Sequence, residues 1–97
     1  MIRGFADRGT EDVYDGVRTP AARRCIPPAL WALAQRKLDR LHRAAELRDL
    51  FDPPGNRLEP LRGERAGFFS IRLNERYRIV FRFDRGNATD VAIVDYH

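Results

Sequence analysis

The sequence is poor in the residues that build disulfides and metal sites: it has one cysteine, Cys25, and only two histidines. A single cysteine cannot form an internal disulfide, and no Cys/His spacing indicates zinc, so we expect no metal and no other cofactor. The sequence also lacks an apolar run approaching the roughly 20 residues that span a bilayer. Its first residues lack the apolar core and cleavage site of a secretory signal. We therefore expect a cytoplasmic protein without membrane contacts, folded as a single domain over residues 1–97.

Lysine is almost absent too: Lys37 is the only lysine among 18 basic residues, and the other 17 are arginines. Basic residues exceed acidic ones by four over the whole chain. Between Arg57 and Arg82 there are seven arginines and three glutamates, so the net charge of this stretch alone equals that of the whole chain. A GC-rich genome favours arginine codons and explains part of the content, but not the clustering. Because the arginine fork matches phosphate oxygens and stacks on bases, the cluster predicts a nucleic-acid partner.

The first half of the chain is predicted to be mainly helical. "MIRGF" is typical of a short strand, and a helix is predicted to begin with Thr10 as its cap and to end at Gly16. Pro27 and Pro28 are expected to open a longer helix. Its apolar stripe is predicted to consist of Leu30, Ala34, Leu38, Leu41 and Ala45. A further turn over "ELRDLF" ends before "DPPGN", which cannot continue a helix.

From Leu58 onward the apolar period changes to two, which is typical of strands. Strands are predicted over residues 58–61, 68–74, 77–83 and from about Ala88 onward, with a hairpin turn at 84–87. We therefore expect an α+β fold, in which helices pack on one face of a mainly antiparallel sheet of four to five strands.

The strand alternation also separates two kinds of side chain. Ile71 and Ile79 are predicted to face the helices, and the opposite face is predicted to carry Arg72, Arg78 and Arg82. Arginines from neighbouring strands would line a concavity suited to phosphate. The alternative is that they only keep an exposed face in water.

The last three residues, Asp95, Tyr96 and His97, are an acid, a phenol and an imidazole, all of which can carry or move protons. If the final strand pairs beside the strand of Arg78 and Arg82, these residues are expected to project from the sheet end next to the arginines. The alternative is an ordinary polar terminus.

Three motifs in order give the sequence a family resemblance. They are L-x-P-L-[KR]-G from Leu58 to Gly63, S-I-x-[VIL]-N-x-x-[WY]-R-I-x-F from Ser70 to Phe81, and the final D-Y-H. With the start "MIRGFADRGTEDVY", they closely resemble the HigB toxins within the RelE superfamily of bacterial toxin–antitoxin systems. The resemblance implies a RelE-like fold and a toxin that enters the ribosomal A site, cleaves mRNA there without a metal and inhibits translation. It also implies a HigA-like helix-turn-helix antitoxin as partner.

The same resemblance implies roles for individual residues, by position. Asp95 and His97 match the acid/base residues of the family, and Tyr96 matches a tyrosine that stacks on a base or orients the ribose. Arg78 matches a phosphate-facing arginine and Arg62 the basic position after "PL". The further candidates for RNA or phosphate binding are Arg72, Asn74 and Arg82.

Glu59 departs from the family pattern, which often has histidine at this place. A carboxylate can accept a proton but offers no positive charge to a phosphate. Either Glu59 is the base, or catalysis depends more strongly on His97. His42 and Cys25 are expected to be packing or surface residues.

Two other functions remain open from the sequence. One is a ParE-like toxin that binds DNA gyrase, and the other is a non-catalytic RNA-binding module. The final D-Y-H favours the ribonuclease, because a gyrase-binding protein has no need of these groups.

Overall fold

A computed structural model of the chain describes residues 1–51 and 54–96. Its first helix, α1 (Arg8–Asp15), is capped by Asp7, whose side chain accepts a hydrogen bond from the Thr10 amide at 2.7 Å. The predicted cap at Thr10 was therefore wrong, because Asp7 already satisfies the first free amides and Thr10 lies inside the helix, fully buried. The Thr10 hydroxyl instead accepts a hydrogen bond from the Ile93 amide at 3.0 Å, which ties the helix to the sheet. The predicted end at Gly16 is confirmed, since Gly16 adopts the left-handed conformation with φ 75°.

A short helix, α2 (Pro20–Cys25), was not predicted, because six residues are too few to show a helical period. Thr19 caps it by accepting from the Ala22 amide at 3.1 Å. The two helices pack closely: a Cβ at Gly9 would lie 2.7 Å from the Ala21 carbonyl oxygen. Only glycine fits at this contact, and it brings the two helices together beside the sheet.

The longest helix, α3 (Trp31–Arg43), follows a single 3-10 turn over Pro28–Leu30 rather than opening at the two prolines. Its predicted stripe is confirmed at Ala34, Leu38 and Leu41, which are fully buried. Ala45 lies beyond the end of the helix and is exposed, and Ala44 takes the buried position. The predicted turn is a 3-10 helix over Leu47–Phe51, and another 3-10 turn spans Pro54–Asn56. The predicted break at "DPPGN" lies partly outside the described residues.

Four antiparallel strands form one sheet in the order β1 (Glu59–Pro60), β2 (Phe69–Arg72), β3 (Tyr77–Asp84) and β4 (Asn87–Asp95). The predicted hairpin between β3 and β4 is confirmed, with Arg85 and Gly86 both at positive φ, as the twist of such a turn requires. Among the described residues, no helix is long and apolar enough to cross a membrane. The predicted α+β class with an antiparallel sheet is confirmed.

β4 carries one irregularity. Val80 pairs with Ala92 but Arg82 pairs with Thr89, so β4 has one residue more than β3 between these pairs. The extra residue is at Asp90, which has a positive φ of 51°. Such an extra residue is a β-bulge.

The first five residues do not form the predicted strand. Ile2 and Phe5 make two isolated parallel bridges to Ala88 and Val91 of β4, and the bulge at Asp90 falls between them. Since the bulge interrupts the edge of β4, a continuous ladder does not form there.

The helices cover one face of the sheet, where the main core lies. Ile71, Ile79 and Ile93 stand side by side across β2, β3 and β4, all nearly fully buried. The core continues with Phe81 and with Leu38 of α3. His42 belongs to this packing, since its Nδ1 accepts from the Ile2 amide at 3.1 Å.

Candidate active site

The opposite face of the sheet, called here the arginine face, carries two cross-strand rows. One row is formed by Arg72, Arg78 and Val94. The neighbouring row is Ser70, Val80 and Ala92, whose exposed fractions are 0%, 2% and 8%. The small residues of the arginine face are therefore shielded from solvent, although arginines on a strand usually indicate a solvent-exposed face. The floor between the arginines is dry, which strengthens the field of any charge held above it.

Arg78 is an enclosed charge on this face, with only 18% of its side chain exposed. Its Nη1 lies 3.5 Å from Glu59 Oε1 and 3.5 Å from the Ser70 hydroxyl. Its guanidinium carbon lies 5.1 Å from the centre of the Tyr96 ring, within cation–π range. Three groups from three strands or strand ends thus hold one guanidinium in place. Both polar contacts are long, so they orient Arg78 without using up its hydrogen-bonding capacity.

Tyr96 is placed as predicted. Val94 lies on the arginine face, so Tyr96, two residues later, shares it and contacts Arg78. Glu59, the second catalytic candidate from the resemblance, also lies beside Arg78. The structure therefore brings together Glu59, Arg78 and Tyr96.

Asp95 is not among these arginines, contrary to expectation. It pairs with Tyr77, so the strand alternation turns its side chain toward the helix-covered side. Its Oδ2 accepts from Arg76 Nε at 2.9 Å and Nη2 at 2.8 Å. This hydrogen bond, with the carboxylate charge, raises the pKa of Arg76. Asp95 thus lies at the sheet end, where its carboxylate is tied to Arg76 of the β2–β3 turn. His97 lies outside the described residues.

The other predicted phosphate contacts are more scattered. The Arg82 guanidinium lies 4.4 Å from the centre of the Phe68 ring and 3.5 Å from the Asp90 carboxylate. Arg72 donates to the Asn74 carbonyl at 3.1 Å. Arg62 is exposed at the start of a 3-10 turn over Gly63–Arg65.

Asn74 has a structural task in the β2–β3 turn. Its side-chain oxygen accepts from the amides of Arg76 at 2.9 Å and Tyr77 at 2.8 Å. Because this oxygen is engaged, an RNA contact by Asn74 is limited to its amide nitrogen.

Arg72 also lies close to a second basic group. Burial, followed by the charges of Arg40 and Arg72, lowers the pKa of Lys37 on α3. Lys37 in turn donates to Asn56 Oδ1 at 2.6 Å. Lys37 of α3 is therefore within electrostatic range of Arg72.

Sequence reasoning missed two residues of this site. Ser70 is fully buried under Arg78, but a serine in an alternating strand is usually an exposed residue. Arg65 borders a cavity of about 380 Å³ together with Val94, Asp95 and Tyr96. The sequence feature that could have indicated the loop of Arg65 is the pair of glycines around it, Gly63 and Gly67. Both adopt positive φ in the structure and allow the loop to fold back on the sheet. Within the described residues, no cluster of three or more His, Cys, Asp or Glu side chains could hold a metal ion.

Comparison with known proteins shows the family. A sequence model of the family described as "RelE-like toxin of type II toxin-antitoxin system HigB" matches residues 3–97. The toxin HigB-1 of Vibrio cholerae serotype O1 is 38% identical over 88 residues, which cover 91% of this chain and 90% of that protein. The endoribonuclease HigB of Proteus vulgaris is 42% identical over 97 residues, covering 100% of both chains.

Solved structures of lower identity share the fold. The YoeB–YefM complex from Staphylococcus aureus matches with a TM-score of 0.61 at 16% identity, covering 100% of this chain and 95% of that chain. The YoeB/ParE toxin from Agrobacterium tumefaciens matches with a TM-score of 0.54 at 17% identity, covering 99% of this chain and 98% of that chain. These structures confirm the RelE-like fold. The family match and the two curated relatives confirm the predicted family, and the chain belongs to the HigB-like family of RelE-like toxins of type II toxin–antitoxin systems.

Proposed function

We propose that this protein is an endoribonuclease that cleaves mRNA in the ribosomal A site, without a metal, and thereby inhibits translation. The observation that carries the proposal is the enclosed guanidinium of Arg78, held above a dry floor by Glu59, Ser70 and Tyr96. A relative of 42% identity is named an endoribonuclease, which supports the same chemistry.

The reaction needs three elements. A base takes the proton of a ribose 2′-OH, whose oxygen then bonds to the neighbouring phosphorus. A fixed positive charge meets the extra negative charge on the five-coordinate phosphate. The bond from phosphorus to the 5′-oxygen breaks, and an acid protonates that oxygen. The products are a 2′,3′-cyclic phosphate and a 5′-hydroxyl.

Arg78 is assigned to the phosphate, because its charge is fixed and its hydrogen bonds are only partly used. Glu59 is assigned as the base, since its carboxylate lies 3.5 Å from Arg78 and 54% of its side chain is exposed, within reach of a bound ribose. His97 is assigned as the acid, on its position in the D-Y-H motif. Asp95 is assigned a positioning role, because Arg76 already holds its carboxylate.

Dependence on the ribosome follows from the openness of the site. Glu59 and Tyr96 are both substantially exposed, so the protein alone does little to align the 2′-oxygen, phosphorus and 5′-oxygen in a line. Fixing such a geometry is worth several kcal/mol, roughly 7–11 in favourable cases. The ribosome holds mRNA in a defined path and supplies this alignment.

The proposed partners are the ribosome with its mRNA and a HigA-like helix-turn-helix antitoxin, with the cytoplasm as the place of action. The Staphylococcus aureus structure contains a YoeB toxin together with YefM, which supports an antitoxin partner for this fold.

The decisive experiment adds the purified protein to a reconstituted translation system and, separately, to the same mRNA without ribosomes. We expect cleavage only on ribosomes, with products ending in a 2′,3′-cyclic phosphate. Equal cleavage of the naked mRNA would contradict ribosome dependence, and 5′-phosphate ends would contradict the 2′-OH mechanism. Intact mRNA with inhibited gyrase would favour the ParE-like alternative, and bound but uncut mRNA would favour the RNA-binding module.

A further inference from the structure

Arg76 of the β2–β3 turn makes three hydrogen bonds to the end of β4. Its Nε and Nη2 atoms donate to Asp95 Oδ2 at 2.9 and 2.8 Å. Its backbone carbonyl accepts from the Tyr96 amide at 2.6 Å. The resemblance assigned no role to Arg76, which stands at an x position of the motif from Ser70 to Phe81. One residue thus contacts two consecutive residues of the final D-Y-H through different groups.

The turn that carries Arg76 is closed by its own hydrogen bonds. Asn74 Oδ1 accepts from the amides of Arg76 and Tyr77 at 2.9 and 2.8 Å. The Tyr77 carbonyl accepts from the amides of Leu73 and Asn74 at 2.9 and 3.3 Å. The Arg76 guanidinium carbon also lies 5.6 Å from the centre of the Tyr77 ring, within cation–π range. The turn therefore holds both the backbone and the side chain of Arg76 in place.

The end of β4 is the part of the strand that needs such an anchor. Asp95 and Tyr77 form the last register pair between β4 and β3, and strand ends open locally more easily than strand interiors. The Asp95 side chain lies on the helix side, whereas the Tyr96 ring lies on the arginine face, 5.1 Å from the guanidinium carbon of Arg78. Since Arg76 binds the Asp95 side chain and the Tyr96 backbone together, it fixes the rotation of the strand end and with it the direction of the Tyr96 ring.

We propose that Arg76 is a positioning residue for the cleavage reaction and acts through Asp95. The ion-paired carboxylate holds the strand end in one orientation, which keeps Tyr96 beside Arg78 and fixes the backbone that leads to His97. Arg76 itself contacts no reacting atom. This inference rests on the proposed ribonuclease function and adds to it a residue outside the arginine face.

The first test measures kcat and KM separately for mRNA cleavage on ribosomes. Arg76→Ala should lower kcat roughly 10- to 100-fold, because a displacement of about 1 Å in a catalytic group costs up to this much. KM should change by less than about twofold, since Arg76 provides no binding energy to the substrate. Arg76→Lys keeps the charge and a donor for Asp95 Oδ2, so it should restore part of the lost kcat. A parental kcat in Arg76→Ala, or a raised KM as its only effect, would overturn the inference.

A double-mutant cycle shows whether Arg76 acts through Asp95. Once Asp95→Ala has removed the carboxylate, adding Arg76→Ala should change the remaining rate by less than about twofold, because residues that act as one unit are not additive. A full further loss in the double variant would mean that Arg76 contacts RNA directly, and would overturn the inference. The matched control is Arg48→Ala, which breaks another exposed arginine–carboxylate pair, with Glu46 at 2.7 Å, and should keep the parental kcat. An equal loss of kcat in this control would also overturn the inference.

Amide hydrogen exchange tests the anchoring without any cleavage assay. In Arg76→Ala the Tyr96 amide should exchange about tenfold faster or more, because the strand end opens more easily. The Ile93 amide, bonded to the Thr10 hydroxyl at 3.0 Å, is the internal control and should keep its rate. If the parental protein cuts no mRNA but exchange changes as expected, the proposed function fails and the anchoring of the strand end by Arg76 stands. An unchanged exchange rate at Tyr96 would overturn the inference whatever the cleavage rate.

Discussion

Replacing Arg78 by alanine should lower catalysis far more than it lowers stability. The guanidinium is enclosed, with 18% of the side chain exposed, yet all of its contacts are weak or partly exposed. Loss of one fixed charge at a developing negative charge raises the barrier by about 3–4 kcal/mol, which lowers the cleavage rate roughly 10²–10³-fold.

The cost to folding should be smaller. The ion pair with Glu59, whose side chain is 54% exposed, is worth about 0–1 kcal/mol. The stacking with Tyr96 contributes about 0.5–1 kcal/mol at such an exposed site. We therefore expect a loss of about 1–2 kcal/mol in the free energy of unfolding, within the 5–15 kcal/mol of a typical domain.

The assay pairs single-turnover cleavage on ribosomes with thermal denaturation. Arg78→Ala should be folded and nearly inactive, and Arg78→Lys should be intermediate, because it keeps the charge but loses the planar fork. Arg43→Ala is the control for the loss of a positive charge, since its pairing with Asp39 lies on the exposed side of α3. A folded Arg78→Ala variant that cleaves at the parental rate would refute the reasoning. So would an equal loss of rate in Arg43→Ala, because charge anywhere on the protein would then suffice.

Three further predictions test other parts of the molecule. Glu59→Gln keeps the shape of the side chain but cannot accept the proton, so cleavage should fall about 10²–10⁴-fold at an unchanged melting temperature; a parental rate would place the base elsewhere. Deleting His97 should likewise abolish cleavage and leave the melting temperature unchanged, while a tag ahead of Met1 should be tolerated. If the deleted variant still cuts mRNA, His97 has no catalytic role. Thr10→Val removes the acceptor of the buried Ile93 amide and should cost about 1–3 kcal/mol, measured by denaturant unfolding. Thr89→Val, at a half-buried threonine of β4, is the control, and equal losses from both would contradict the assigned hydrogen bond.

The sheet could be predicted from sequence because its signals are local. Ile71 and Ile79 alternate with arginines over whole strands, and the turn between β3 and β4 contains Gly86, which readily adopts positive φ. α2 could not be predicted, since it is six residues long and is held by the packing of Gly9 against Ala21. The cap at Asp7 could not be predicted for a different reason. Asp7 and Thr10 both have side chains that can cap a helix, and the sequence does not decide between them.

The candidate site could be predicted only in part, because its contacts join distant segments. Arg78 and Tyr96 lie on adjacent strands, and their approach follows from strand pairing alone. The approach of Glu59 depends on β1, a strand of only two residues whose register no pattern fixes. Arg65 belongs to a loop, where position depends on the Phe68–Arg82 contact rather than on any period.

The bulge at Asp90 decides which of the last residues reaches the substrate. Side chains of a strand alternate, so one extra residue exchanges the two faces for everything that follows it. Ala88 and Val91 both lie in the core, three positions apart, and from there Ile93 and Asp95 continue on the helix side while Tyr96 points to Arg78. If the same residues paired without a bulge, Asp95 would lie on the arginine face and Tyr96 would turn to the helix side. The parity of β4 is therefore a determinant of the chemistry presented to RNA. Deleting Asp90 would remove the bulge and leave the pairing of Val94 and Asp95 with β3 unchanged, whereas deleting Ala92, beyond the bulge, would bring Asp95 opposite Arg78 and turn Tyr96 to the helix side without altering either residue.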